Sequence, residues 1–448
     1  MNFTNIHRIY FLGIGGIGMS ALARYFLSEG KKVYGYDKTP STLTSTLQKE
    51  GAKISFTSST ENIPRNIDLV VYTPAIPKTN TLFQYFIKSE IPIEKRAKTL
   101  GNISKKFRTI AVAGTHGKTT TSAIISHILH QSNIGCNALI GGIMTQYKTN
   151  VILNKKSNIL VVEADEYDRS FLHLSPEISI INSIDEDHLD VYHSEELFIQ
   201  GFKDFASLTK KQLICPLELS GVFSNTTQTF DIENSKANVF TKNIVAQKGI
   251  FKADIISENT SNTISTMLAG NHNLKNILAS YLVCKNIGLS EQEIIKGICS
   301  FQGIKRRFEW INTDSSLPII DDYAHHPTEI NAAILTFKTL YPSLKITVVF
   351  QPHLFSRTRD FMKQFAVSLS SCDRLFLLDI YPARETQIEG ITSKKLGSFI
   401  QNTEIHYVTL NNIIKEIKKQ NHQAILILGA GDISTKVQEI KEAVLQAI

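Results

Sequence analysis

The segment GTHGKTT, residues 114–120, follows an apolar stretch and opens a helical pattern. A lysine set between a glycine and a hydroxyl, at a strand-to-helix turn, is what a triphosphate requires. Backbone N–H groups at the helix start receive phosphate oxygens, Lys118 supplies charge, and the Thr119 hydroxyl can ligate Mg²⁺. The loop is shorter than a Walker A motif, because Val112 stands where the first glycine would be.

Acids gather at two strand ends. EADEYD offers Glu163, Asp165, Glu166 and Asp168, and IDEDHLD offers Asp185, Glu186, Asp187, His188 and Asp190. Ligands of an open α/β sheet bind at the carboxyl ends of its strands, so carboxylates and an imidazole beside Lys118 point to Mg²⁺ coordination. Each acidic stretch alone reads equally as a solvated loop. AGNHNLKN places His272 and Asn273 at the start of a helical stretch, where amides either read an adenine edge or cap the helix. Arg306 and Arg307 fit either a cation for phosphoryl transfer or an interdomain salt bridge. IIDDYAHHPTEI and VFQPHLFSRTRD end two strands with Tyr323, His325, Gln351, His353, Arg357 and Arg359, a grouping that suits a substrate site.

The first glycine turn in chain order lies near the start, in FLGIGGIGMS. Gly13, Gly15 and Gly18 spell G-x-G-x-x-G, and Asp37 follows where a dinucleotide site carries its acid. Gly13 and Gly15 permit a tight turn and close backbone approach to a diphosphate, and Gly18 lets the helix pack on the strand. The fingerprint alone suits an NAD-dependent oxidoreductase, yet it specifies only a diphosphate.

These turns need elements to hold them. Strand–glycine–helix units restart three times, which predicts parallel α/β sheets in segments 1–98, 99–306 and 307–448. A length of 448 residues agrees with about three domains. The Asn/Ser/Thr-rich stretch from about 215 to 265 reads as antiparallel strands. No apolar run is long enough for a membrane span, and the start lacks the features of a secretory signal. Five scattered cysteines form no metal pattern and fit a reducing cytoplasm. The net charge of +7 is scattered along the chain and its basic patches are short, which argues against nucleic acid as a partner.

GIGGIGMS, GTHGKTT, EADEYD, DHLD, GNHNLKN, RRFE, DDYAHHP, QPHLFSRT and DIYPARE occur in this order across the whole chain. The combination resembles the Mur ligase family. GTHGKTT and EADE are shared among its members; GIGGIGMS and DDYAHHP narrow the resemblance to those that join L-alanine to UDP-N-acetylmuramate. The resemblance implies an N-terminal Rossmann-like UDP-binding domain, a central P-loop-type ATPase domain and a C-terminal Rossmann-like domain. It also implies that ATP phosphorylates the lactyl carboxylate to an acyl phosphate, which the alanine amine then attacks.

Carried over position by position, Gly114, Thr115, His116, Gly117, Lys118, Thr119 and Thr120 would form the ATP loop, with His272, Asn273 and Arg307. Thr119, Glu163 and His188 would hold Mg²⁺. Gly13, Gly15, Gly16, Gly18, Met19, Asp37, Thr73, Ala75, Ile76 and His116 would meet the UDP-sugar, and Tyr323, His325, Arg357 and Arg359 the amino acid. Leu354 stands where many relatives have arginine, so alanine recognition must rest on Arg357 or Arg359. Lys203 lies where some members carry a carbamylated lysine, and reads here as a surface lysine. A related ligase that adds a preformed peptide or another amino acid is the alternative. Monomer and homodimer both stay open.

Overall fold

The computed structural model describes residues 3–446 apart from 186–191, 193, 248, 259, 315 and 384. The chain divides into two compact units. One comprises Met1–Lys242, Ile255–Asn262 and Lys275–Phe301, the other Asn243–Asp254, Thr263–Leu274 and Gln302–Ile448.

The first unit begins with β1 (Arg8–Leu12), α1 (Ile17–Ser28), β2 (Lys32–Tyr36), α2 (Thr42–Lys49), β3 (Lys53–Ser55), β4 (Leu69–Tyr72), α3 (Thr81–Lys88) and β5 (Ile93–Lys95). These strands form a parallel sheet in the order β3-β2-β1-β4-β5. β1 is buried on both faces, and successive side chains of a strand point to opposite sides. Ile9 and Phe11 therefore join Leu22 and Phe26 of α1 in one core. Tyr10 and Leu12 join Leu82 and Phe86 of α3 in another. The strand order reverses between β1 and β4, the place where a doubly wound sheet opens a crevice.

The same unit continues through α4 (Arg96–Ser104), β6 (Arg108–Ala113), α5 (Lys118–Gln131), β7 (Asn137–Met144), β8 (Thr149–Ile152), β9 (Ile159–Glu163), β10 (Pro176–Ile181), α6 (Glu195–Ser207), β11 (Gln212–Pro216) and β12 (Thr226–Asp231) to the first residues of β13 (Val239–Gln247). β13-β12-β11-β10-β6-β9-β7 run parallel, and β8 closes the edge antiparallel to β7. The expectation of antiparallel strands from about 215 to 265 thus fails for β11, β12 and β13. Their polar residues suggested an exposed meander, but the connection over 217–225 returns the chain parallel to β11. It holds for β14 (Ile250–Ser257) and β15 (Thr260–Thr266), because two-residue connections join only antiparallel neighbours. Helices α7 (Asn271–Ile287) and α8 (Glu291–Ser300) follow.

The second unit holds β16 (Glu309–Asn312), β17 (Ile319–Asp322), α9 (Pro327–Leu340), β18 (Ile346–Phe350), α10 (Phe355–Asp360), α11 (Met362–Leu369), β19 (Arg374–Leu378), β20 (Glu404–Val408) and β21 (Ala424–Leu428). Its sheet runs β16-β17-β21-β18-β19-β20, parallel except for β16. Pro327 opens α9 at a position where its missing N–H costs nothing, and Glu329 completes a capping box with His326. Among the described residues no helix is long and apolar enough to cross a membrane.

Candidate active site

The GTHGKTT loop joins β6 to α5. Gly117 caps α5 at φ +81°, and a Cβ there would lie 2.3 Å from Asn276 Oδ1. A side chain is excluded both by conformation and by space. Thr115 ties the loop to the strand end beside it: its Oγ donates to the Asp185 carbonyl at 2.9 Å and accepts from the Asp185 N–H at 3.0 Å. The His116 N–H donates to Ser183 Oγ, and its Nε2 lies 3.3 Å from Asp185 Oδ2.

Lys118 turns back over this loop. Its ammonium donates to the Gly114 carbonyl at 2.7 Å and to both Glu166 oxygens at 2.8 Å. Burial pulls the ammonium toward neutrality, but the carboxylates of Glu166, Asp165 and Glu163 outweigh it and hold its pKa above the ordinary lysine value. The same burial lifts the Glu166 carboxyl, against the pull of Lys118. The Glu166 side chain is 2% exposed, so this ion pair is a buried one.

Thr119 and Glu163, from α5 and the end of β9, meet directly: the hydroxyl donates to Glu163 Oε2 at 3.0 Å. The other Glu163 oxygen accepts from the Gly141 N–H. Hydroxyl and carboxylate are the hard oxygen donors that suit Mg²⁺, which keeps several waters and needs few protein ligands. His188 lies outside the described residues. Among the described residues no cluster of three or more His, Cys, Asp or Glu is arranged to hold a metal. The donor set fits an ion shared with phosphates rather than an all-protein cage.

At the other glycine turn, Asp37 Oδ2 accepts from the Gly15 N–H at 2.7 Å and so shapes the turn itself. A Cβ on Gly13 would fall 2.6 Å from Thr73 Cγ2 and 3.5 Å from Ile76, which puts the 73–76 loop against the turn. The Ala75 N–H donates to Thr73 Oγ1. Gly16 is the N-cap of α1. The side chain of Met19 is in the core, so only its backbone can meet a ligand. Gly18 was expected to make room for strand packing. The atoms that would meet its Cβ belong instead to Arg96, with Nη1 at 2.9 Å.

In the second unit, Tyr323 is flanked by Arg306 and Arg307, each guanidinium 5.0 Å from the ring centroid. His325 packs edge-on against Tyr323 and against His353, which stacks on Tyr381. His325 Nδ1 donates to the Tyr323 carbonyl at 3.0 Å, which leaves the lone pair on Nε2. Burial, with Arg357 and Arg307 nearby, lowers its pKa to about 4, although Glu329 pulls the other way. Burial raises Asp321 to about 7 and Asp322 to about 6. The charge of Arg357 therefore acts on His325, whereas Arg359 is exposed and paired with Asp360 at 2.7 Å.

Leu354 adopts φ +71°, a strained conformation for a branched residue. Its N–H donates to the Tyr381 carbonyl at 2.9 Å. Glu385 caps the following helix by accepting from the Ser356 N–H at 2.9 Å. His272 and Asn273 occupy the first turn of α7, where Asn273 donates to the Ala269 carbonyl and His272 is exposed. Lys203 is exposed on α6, as a surface lysine should be.

The sequence reading missed the tie of Glu166 to Lys118, the place of Asn276 under Gly117, and Arg96 altogether. Glu166 carried a signal, being one of the acids in EADEYD. Nothing local marks Asn276 or Arg96.

Residues 8–108 match the Mur ligase family, catalytic domain, residues 112–284 the Mur ligase middle domain, and residues 306–431 the Mur ligase, glutamate ligase domain. The chain is 46% identical to the UDP-N-acetylmuramate–L-alanine ligase of Flavobacterium johnsoniae, over 99% of each protein. It is 45% identical to that of Flavobacterium psychrophilum, also over 99% of each. Among solved structures it is similar to the UDP-N-acetylmuramate–alanine ligase of Thermotoga maritima. That match has a TM-score of 0.83 at 27% identity and covers 98% of this chain and all of the other.

Proposed function

The chain belongs to the Mur ligase family, and on that premise we propose that it joins L-alanine to UDP-N-acetylmuramate in a reaction driven by ATP. The γ-phosphoryl group of ATP passes to the lactyl carboxylate, which becomes an acyl phosphate while ADP leaves. The amine of L-alanine attacks the carbonyl carbon, the carbon–oxygen bond to phosphate breaks, and the nitrogen gives up a proton as the amide forms. A free carboxylate could not follow this course, since its leaving group would be oxide.

The observation that carries the reading is the convergence of Lys118, Thr119 and Glu163 at the end of the central sheet. Lys118 exchanges Glu166 for the ATP phosphates, joined by the N–H groups at the start of α5. Thr119 and Glu163 would hold Mg²⁺, with His188 as a third candidate ligand, and the ion when bound would supply positive charge to the transferring phosphoryl group. The first glycine turn, with Thr73, Ala75 and Ile76, receives the UDP-sugar. Tyr323, His325 and Arg357 present the amino acid. His325 is neutral at physiological pH and offers Nε2 to the proton that the amine sheds. Segments 1–98, 99–306 and 307–448 take the UDP-sugar, ATP and the amino acid respectively, and the reaction belongs in the cytoplasm.

Phosphate release with ATP, Mg²⁺ and UDP-N-acetylmuramate tests the proposal when L-alanine, L-serine, glycine and the peptide portion of peptidoglycan are compared. L-alanine should support the highest kcat/KM. Turnover with the peptide alone would replace alanine ligation by peptide ligation.

A further inference from the structure

Gly18 stands in the first turn of α1, and the space in front of it is filled by a cation. An ideal Cβ on Gly18 would lie 2.9 Å from Arg96 Nη1, 3.3 Å from its Cδ and 3.5 Å from its Cζ. The guanidinium thus lies along the start of the helix that follows the diphosphate turn. Arg96 is the first residue of α4, and its side chain is 24% exposed. Its Nη2 donates to Asp165 Oδ2 at 3.1 Å, across 69 residues of sequence. Its neighbour Lys95 pairs with Asp168 at 2.8 Å. These two bonds fasten the start of α4 to the acidic segment that contains Glu163 and Glu166.

The turn needs such a cation. The Gly15 N–H is already given to Asp37, and the Gly16 N–H to the Gly13 carbonyl. What remains for a diphosphate is the first-turn amides of Ile17, Gly18 and Met19, which have no carbonyl one turn earlier to bond. Asp37 also brings a carboxylate to the same turn, which opposes an anion. A guanidinium has five N–H donors in a planar fork suited to phosphate oxygens. Among the described residues Asp165 is the hydrogen-bond partner of Arg96, so most of that fork is left for a ligand.

We propose that Arg96 binds the diphosphate of the UDP-sugar over the first turn of α1, and that Gly18 is glycine to admit it. The inference rests on the reading of the first turn as the UDP-sugar site. Through Asp165 the same guanidinium touches the acids of the phosphoryl-transfer site, so it stands between the two anions that the reaction brings together.

Calorimetric titration of the intact enzyme with UDP, and separately with UDP-N-acetylmuramate, tests this without catalysis. Arg96→Ala should weaken both ligands by about tenfold to a hundredfold, the loss expected for a charge-assisted contact. Arg96→Lys should fall between, and Gly18→Ala should weaken both by displacing the guanidinium while leaving its charge in place. In steady state, KM for UDP-N-acetylmuramate should rise in Arg96→Ala while KM for ATP stays unchanged. Asp165→Asn separates binding from bracing. If Arg96 only fastens the acidic segment, Asp165→Asn will reproduce the loss of UDP affinity, and the proposal fails. It also fails if Arg96→Ala binds UDP as tightly as the wild type. Loss of affinity for UDP-N-acetylmuramate alone would move the contact to the lactyl carboxylate and overturn the assignment to the diphosphate. A wild type that binds neither ligand would overturn the site reading itself, and the proposal with it.

Discussion

Replacing Lys118 by alanine removes an ammonium that touches both oxygens of Glu166 at 2.8 Å and the Gly114 carbonyl at 2.7 Å. Two separate costs follow. The stranded Glu166 carboxylate is 2% exposed, and breaking one partner from a buried ion pair costs about 3–5 kcal/mol of stability. Burial already lifts the Glu166 pKa, so the stranded group takes up a proton and the realised cost sits at the lower end. The second cost is catalytic. One preorganised charge on the transferring phosphate contributes about 3 kcal/mol, or roughly a hundredfold in kcat. The double variant Lys118→Ala/Glu166→Gln separates them, because the neutral amide needs no cation. Its melting temperature should return most of the way to wild type while phosphate release stays about a hundredfold down. Near-normal turnover in the double variant would refute the assignment of Lys118 to the ATP phosphates. An unchanged melting temperature in the single variant would refute the buried pair.

Three further outcomes are expected. Glu163→Gln should raise the Mg²⁺ concentration needed for half-maximal phosphate release, because an amide oxygen carries no formal charge for the ion; an unchanged Mg²⁺ titration would remove Glu163 from the metal site. Asp321, raised to about 7 in the fold against about 3.9 in the unfolded chain, binds more protons folded than unfolded between those values. Its stabilising contribution is full below about pH 4 and is lost as pH rises through 7, so the melting temperature of Asp321→Asn relative to wild type should climb across that window; a flat difference would contradict the raised pKa. Finally, UDP-N-acetylmuramate should raise the melting temperature by preferential binding to the folded state, whereas NAD should not; a shift with NAD would reopen the oxidoreductase reading of the first glycine turn.

The glycine turn at GTHGKTT was legible because its pattern is contiguous: the end of β6, two glycines, a lysine and the start of α5 follow one another in one short run. The parallel α/β class was legible for a related reason: buried strands are apolar on both faces and alternate with helical patterns. The strands β11, β12 and β13 were misread because orientation depends on where the connection returns the chain, and polar composition does not encode that. Spacing placed Asp37 where a dinucleotide site carries its acid, and only the fold shows its carboxylate accepting from the Gly15 amide.

Local residue order by itself determined two glycine turns, the acids at strand ends and the order of motifs that marks the family. Tertiary structure alone decided which of those residues meet. It paired Lys118 with Glu166 across 48 residues, buried the side chain of Met19, and brought Arg96 against Gly18. The physical reason is that a turn's conformation is set by neighbours in the chain, whereas a charge in a crevice is set by whichever distant strand or helix end the sheet order brings beside it.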